Sequence, residues 1–328
     1  MAGEDEAASY LLSQQESERI FREQIVGHPI LAGGVPQQDP GLVLVTGQPG
    51  AGKTTIIADV LAHLSEHRGG AVELSGDPFK AFHPRWSELT AKDDLLAGAF
   101  TAADGRRWRG MAQDHLMRQR IDLVVETAGR NRADLDDLAA RAVANGYRVE
   151  LVVLAAPAAL SRASVLDRFE QMRRLYGAGR MVTPAMHDSS FLGIRDGLQR
   201  LDTGDFHADA VHLIRRGGLI AYSRNEPGAA TPRRGRAAAA LETERGRWTE
   251  SEAKDFEAAM ARLAESQQQT VTEQLPELRA LAQNLRLKPK RRVQTARIAD
   301  TIFTGLPASR HQPAPPPSTP RPGPGRGR

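Results

Sequence analysis

Short apolar runs, each closed by polar residues, recur through the first two thirds of the chain: Leu42-Val43-Leu44-Val45-Thr46, Ala71-Val72-Glu73-Leu74, Ile121-Asp122-Leu123-Val124-Val125 and Arg148-Val149-Glu150-Leu151-Val152-Val153-Leu154. Helical patterns, such as Thr54 to Leu64, lie between them. Near-continuous apolar strands alternating with helices predict a parallel sheet buried on both faces, an α/β architecture. A last pair, Ala210–Ile214 and Leu219–Ser223 around Arg215-Arg216-Gly217-Gly218, reads as a hairpin at the sheet edge. At the other end, Ile20, Phe21 and Ile25 sit at near-helical spacing among charges, which predicts an amphipathic helix from Ser13 to Val26 that stops at Gly27-His28-Pro29. Helical patterns also occupy Ala237 to about Gln268 and Glu273 to about Leu287, a helical extension after a Pro/Gly/Arg linker at 226–236. The Pro-rich end from Pro307 is expected to be disordered, and there is no internal repeat.

Composition narrows the class. The 328 residues contain no cysteine, which excludes disulfide scaffolds, thiolate zinc sites and a cysteine nucleophile. The start is acidic and polar, unlike a signal peptide, so a cytoplasmic protein with no membrane association is expected. A net charge of +4 conceals a basic stretch from Lys288 to Arg328. Because the whole chain is rich in Ala, Gly, Arg and Pro, that stretch reads as a solvated tail, and nucleic-acid binding is not expected.

The chemistry begins where the first apolar run ends. Gly47-Gln48-Pro49-Gly50-Ala51-Gly52-Lys53-Thr54 fits G-x-x-x-x-G-K-[ST] between a predicted strand and a predicted helix. Its glycines let backbone N–H groups converge on a phosphate, Lys53 supplies a point charge, and Thr54 supplies a hydroxyl to Mg²⁺. Residues 47–54 together with Thr55 are therefore the expected ATP site, and a P-loop NTPase fold is expected, with a mainly parallel sheet flanked by helices. The motif alone does not separate a kinase from a GTPase or a non-catalytic switch.

In parallel sheets active sites lie beyond the carboxyl ends of the strands, which singles out the polar residues that follow each run. Asp77, after the second run, is placed either to accept a proton from a substrate hydroxyl or simply to cap a helix starting at Pro78. Glu126, in Val125-Glu126-Thr127-Ala128-Gly129-Arg130, can hold a sugar hydroxyl or a Mg²⁺-bound water, or act as a cap. Further along, arginines between Arg162 and Arg180 are candidates to stabilise a transferring phosphoryl group, and residue types alone do not choose among them.

The order of these segments resembles the zeta-toxin kinases. Asp77-Pro78-Phe79-Lys80 with His83-Pro84, the Glu126–Arg130 segment, Arg168-Phe169-Glu170, and Arg180 before Thr183-Pro184 and His187-Asp188 carry the resemblance, which spans about Leu42 to Ser223. It implies that Asp77 is the catalytic base, that Arg168 and Arg180 act on the transferred group with Lys53, and that Glu126, Thr127 and Arg130 contact the acceptor. His83 is then structural, and Arg162, Arg173 and Arg174 belong to a solvated basic face. The acceptor implied is the 3′-hydroxyl of the amino sugar of UDP-N-acetylglucosamine, a nucleotide sugar, with ATP and Mg²⁺ as cofactors and an antitoxin as protein partner. Kinases of other small hydroxyl compounds, an antibiotic or another nucleotide sugar, and a nucleotide-dependent switch are the alternatives. On this reading residues 1–38 form an N-terminal helix and connector, 39–225 the P-loop kinase domain, 226–304 a linker and helical extension, and 305–328 a tail. This chain departs from the family pattern on the helix before the third strand, where only Asp114 is acidic between Arg106 and Arg120.

Overall fold

In the computed structural model, which describes residues 9–75, 78–92, 94–129, 132–177, 179, 181–225, 236–287, 296–304 and 306, the apolar runs are strands. Helix α1 (Gln14–Ile20) continues as a π turn (Phe21–Ile25), and β1 (Gly41–Thr46) leads through the glycine loop into α2 (Lys53–Arg68). Next come β2 (Val72–Leu74), then α3 (Trp86–Lys92), α4 (Asp94–Phe100) and α5 (Ala102–Arg118). After β3 (Leu123–Thr127), α6 (Arg132–Ala144) and β4 (Arg148–Leu154), the chain forms the long helices α7 (Ala158–Tyr176) and α8 (Pro184–Thr203). Strands β5 (Ala210–Ile214) and β6 (Ile220–Asn225) make the expected hairpin. The extension holds α9 (Ala237–Arg245), β7 (Arg247–Trp248), α10 (Glu250–Ala264), α11 (Gln269–Thr272), α12 (Leu275–Gln283) and β8 (Arg286–Leu287).

The main sheet runs in the order β2-β3-β1-β4-β5-β6, with every pairing parallel except the edge hairpin. Side chains alternate across a strand, so β1 feeds two cores. Leu42 and Leu44 join Trp108 and Leu116 of α5 and Leu198 of α8 on one face. Val43 and Val45 join Ile57, Val60 and Leu64 of α2 on the other, where Ile298, Ile302 and Phe303 complete the layer. A third core forms away from the sheet, where Leu160, Ala163 and Leu166 of α7 meet Phe256, Met260 and Leu263 of α10 and Leu278 of α12. No helix among the described residues is long and apolar enough to cross a membrane.

Three expectations change. The third strand starts at Leu123, because Ile121 bridges antiparallel to Pro36 and the buried Asp122 carboxylate accepts from Gly41 N at 2.7 Å and Arg68 Nε at 2.5 Å. Glu126 and Thr127 are consequently the last residues of the strand, paired with Val45 and Thr46, and do not follow it. The helix expected over 237–268 breaks at Gly246, since Arg247-Trp248 pairs with Arg286-Leu287 and a capping box between Thr249 and Glu252 starts α10 afresh. Finally, Arg162 is not on a solvated face: its side chain is 5% exposed and forms a two-pronged pair with Glu277 of α12 at 2.6 and 2.8 Å.

Candidate active site

The glycine loop owes its shape to two left-handed residues. Gly50 has φ +78° and Gly52 φ +101°, a region that costs little only without a Cβ. At Gly50 a Cβ would also lie 2.0 Å from the carbonyl oxygen of Ser161, so the loop sits directly on the start of α7. Lys53, the first residue of α2, donates from Nζ to the Gly47 carbonyl at 2.7 Å and lies 3.5 Å from Glu126 Oε1 at the end of β3. The central strands thus bring a cation and a carboxylate to one point.

A cleft of about 520 Å³ opens over this loop. Of the residues expected to hold nucleotide, Pro49, Gly50, Gly52, Lys53, Thr54 and Thr55 line it, together with Glu126 and Arg168. Gly47, Gln48 and Ala51 do not line it, and the Gln48 side chain turns into the protein. Its Nε2 donates to Ala156 O at 2.8 Å and Ser161 Oγ at 3.2 Å, while its Oε1 accepts from Arg245 of α9 at 3.2 Å. Burial pushes the Arg245 pKa down to about 10, so it is still charged at neutrality, and it spans from Gln48 to the Phe191 carbonyl and ring.

Helix α7 presents its two faces to different partners. At helical spacing, Ser161, Ser164 and Arg168 face the loop or the cleft. Around them, Asp167 accepts from Arg262 at 2.7 and 3.0 Å and Glu170 accepts from Ser266 Oγ at 2.5 Å, both from the extension. Next to it, His187 of α8 is buried between Ser161 Oγ at 2.8 Å and Asp188 Oδ1 at 2.9 Å. Desolvation lowers the His187 pKa, with Asp188 opposing and Arg162 and Arg245 adding to the shift. The neutral tautomer that satisfies both partners carries its hydrogen on Nδ1, donates to Asp188 and accepts the Ser161 hydroxyl.

A second cleft of about 1150 Å³ shares Glu126, Ala128 and Met186 with the first. Thr127 lines it, and its hydroxyl accepts from Gly129 N at 3.1 Å. Lys80, Arg106, Arg107, Arg109, Arg141 and Trp86 line it as well, with Asp134 and Asp137 between them, giving a surface of mixed charge with cations in excess and one aromatic face. Asp114 accepts from Arg141, which also donates to the Gln113 amide oxygen at 2.8 Å. Burial, with Glu126 nearby, raises the pKa of Glu73 on β2.

Asp77, Arg130 and Arg180 lie outside the described residues. Their neighbours reach the clefts: Ser75 and Met181 line the second, Val182 the first. His83 has the structural placement expected of it. Its Nδ1 accepts from Arg85 N at 3.2 Å and its Nε2 donates to Tyr10 O at 3.0 Å, which ties the segment after β2 to the N-terminal residues.

Two residues at this site were not anticipated. Arg216, in the β5–β6 turn, lines the first cleft, and the signal that singled out Glu126, a polar residue at a strand end, also applies to it. Arg245 had no signal in the sequence, because its contact with Gln48 spans 197 residues.

Comparison with known proteins matches residues 31–226 to the model of the family described as Zeta toxin. Toxin zeta of Streptococcus pyogenes is 24% identical over 257 residues, covering 78% of this chain and 86% of that protein. Toxin PezT of Streptococcus pneumoniae serotype 4 (strain ATCC BAA-334 / TIGR4) is 29% identical over 151 residues, covering 46% of this chain and 58% of the toxin. Among solved structures, one from the PezAT chromosomal toxin–antitoxin system of Streptococcus pneumoniae superposes with a TM-score of 0.64 at 21% identity, over 80% of this chain and 98% of that one.

Proposed function

Because the chain belongs to the zeta-toxin family, we propose that it is an ATP-dependent kinase that phosphorylates the 3′-hydroxyl of the amino sugar of UDP-N-acetylglucosamine. The observation that carries this reading is the meeting of Lys53 and Glu126 where the two clefts adjoin. One cleft suits a polyphosphate, lying over glycines at the start of a helix. The other carries cations in excess and Trp86, which suits an acceptor with a charged diphosphate and a base.

In this reading Lys53 and the loop amides hold the β- and γ-phosphates, and Arg168 with Arg180 stabilises charge on the equatorial oxygens. Asp77 takes the proton of the 3′-hydroxyl as its oxygen bonds to the γ-phosphorus, the bond to the bridging oxygen breaks, and ADP leaves. Glu126, Thr127 and Arg130 orient the sugar. The Thr54 hydroxyl and Glu126 carboxylate on the same cleft are hard oxygen donors of the kind Mg²⁺ accepts alongside phosphate oxygens and water. That ion would neutralise charge on the phosphates.

Consumption of a cell-wall precursor harms its host, so the same reading makes the chain the toxin of a toxin–antitoxin pair acting in the cytoplasm. We assign phosphoryl transfer to residues 39–225. A second acceptor, another phosphorylated hydroxyl compound, is favoured by one observation: α5 offers the second cleft Arg106 and Arg109, with no carboxylate where the family resemblance expects one.

Incubation with γ-labelled ATP and a panel of nucleotide sugars tests the proposal. Label on UDP-N-acetylglucosamine is the expected result, and Asp77→Asn should abolish it with nucleotide binding retained. Arg168→Ala should lower turnover by about 100-fold and affinity far less. Label only on another acceptor would transfer the reading to that compound. Nucleotide binding with no product at all would sink it.

A further inference from the structure

We propose that Arg216 is a polyphosphate-binding residue of the nucleotide cleft, additional to the two arginines assigned above to the transferred group, and that it reaches the phosphate loop from the sheet. The inference rests on reading the 520 Å³ cleft as a nucleoside triphosphate site.

The turn that carries Arg216 is held from behind. Gly217 and Gly218 adopt φ +79° and +75°, Ile298 N donates to Gly218 O at 2.8 Å, and Ile220 N donates to Ala296 O at 3.1 Å. So fixed, the side chain lies back over the loop, its Cγ 3.9 Å from where a Cβ on Gly52 would stand. Its Nη2 donates to Gly50 O and to Ser164 Oγ, both at 2.6 Å. Among the described residues, the buried Nε meets no acceptor.

Charge or place sets Arg216 apart from the buried arginines nearby: among the described residues Arg245 also bonds only neutral groups, Gln48 Oε1 and Phe191 O, but it does not line the cleft. Arg215 is neutralised by Glu252 and Glu244, and Arg162 by Glu277. Among the described residues Arg216 bonds only neutral oxygens, and it lines the same cleft as Lys53. Desolvation lowers its pKa, with Asp255 and Glu252 only partly opposing. A guanidinium withdrawn from water without a carboxylate is costly unless an anion completes it. At the mouth of a glycine loop the anion of matching geometry is a phosphate, which accepts from the planar fork through two oxygens. Arg216 belongs to the turn and not to α7 or the segment after it, so its contribution is to hold the phosphate chain in the ground state.

The test is nucleotide binding by the full-length protein and its Arg216→Ala, Arg216→Lys and Arg216→Gln variants, with ATP, ADP and adenosine as probes, alongside melting temperatures without nucleotide. Arg216→Ala should weaken ATP and ADP at least tenfold and adenosine less than threefold, with kcat reduced far less than KM rises. Arg216→Lys should recover part of the loss, and Arg216→Gln, which keeps a donor for Gly50 O but no charge, should not. ATP affinity within twofold of wild type in Arg216→Ala would overturn the proposal. So would equal losses for ATP and adenosine accompanied by a fall in melting temperature, which is the pattern of a residue that only fastens α7 to the loop. If the wild type binds no nucleotide, the reading of the cleft and the role of Arg216 fall together; if it does and the variants match it, only the latter falls.

Discussion

Gly50 and Gln48 show how the phosphate loop is built from both of its sides. Outward, the loop exposes Lys53, Thr54 and Thr55 to the cleft; inward, Gln48 fills its amide with bonds to Ala156, Ser161 and Arg245. A buried amide satisfied on both atoms fixes the backbone that carries it. Gly50 stands where the loop meets α7, and a methyl group there would have to displace the Ser161 backbone while also forcing φ +78° on an L-residue. Gly50→Ala is therefore expected to destabilise the protein by about 2 kcal/mol or more. It should also weaken ATP binding, since the loop must shift outward into the cleft. Chemical denaturation and nucleotide titration of the variant check this, and unchanged values for both would mean that α7 moves freely away from the loop.

Helices α7 and α8 are the elements that join the loop to the rest of the site. Their junction is the buried chain Gln48–Ser161–His187, which ends on the exposed Asp188 carboxylate, with desolvation favouring the neutral form of His187. The sign of its effect on stability follows from its lowered pKa. An unfolded chain binds a proton at the ordinary histidine value of 6.5, and the folded chain binds it only at lower pH. The contribution is fully present above pH 6.5 and is lost as pH falls toward the folded value. Denaturation midpoints should thus fall between about pH 7 and pH 5, and less steeply in His187→Gln than in the wild type. Equal slopes for the two would assign the acid sensitivity to other groups, such as His63 and His115, whose pKa values burial also lowers.

At the scale of the whole molecule, the extension beyond the family-matched region is bound into the body that carries the phosphate loop. It covers the apolar face of α7, pairs Glu277 with Arg162 and Arg262 with Asp167, and sends Arg245 to the phosphate loop and Glu252 to Arg215. A chain ended at Glu226 would leave those apolar and charged groups without partners. It is expected to lose near-UV circular dichroism and cooperative melting, bind a hydrophobic dye, and fail to transfer phosphate. A truncated chain that melts as sharply as the full one would show that the extension is dispensable. The local signals were enough for the parallel strands, the edge hairpin and the glycine loop, because each rests on the alternation of a few residues or on backbone freedom at fixed spacing. They also brought Lys53 and Glu126 to notice, since strand ends can be read over short distances, whereas Arg168 stood out among its neighbouring arginines only through the family resemblance. What the tertiary structure decided is which polar groups are paired and by what: Arg162 by Glu277 of α12, the Gln48 amide by an arginine 197 residues away, Arg216 by no carboxylate among the described residues. Those outcomes depend on burial and on partners distant in sequence, and desolvation gives a charge its energy only once the fold has removed the water around it.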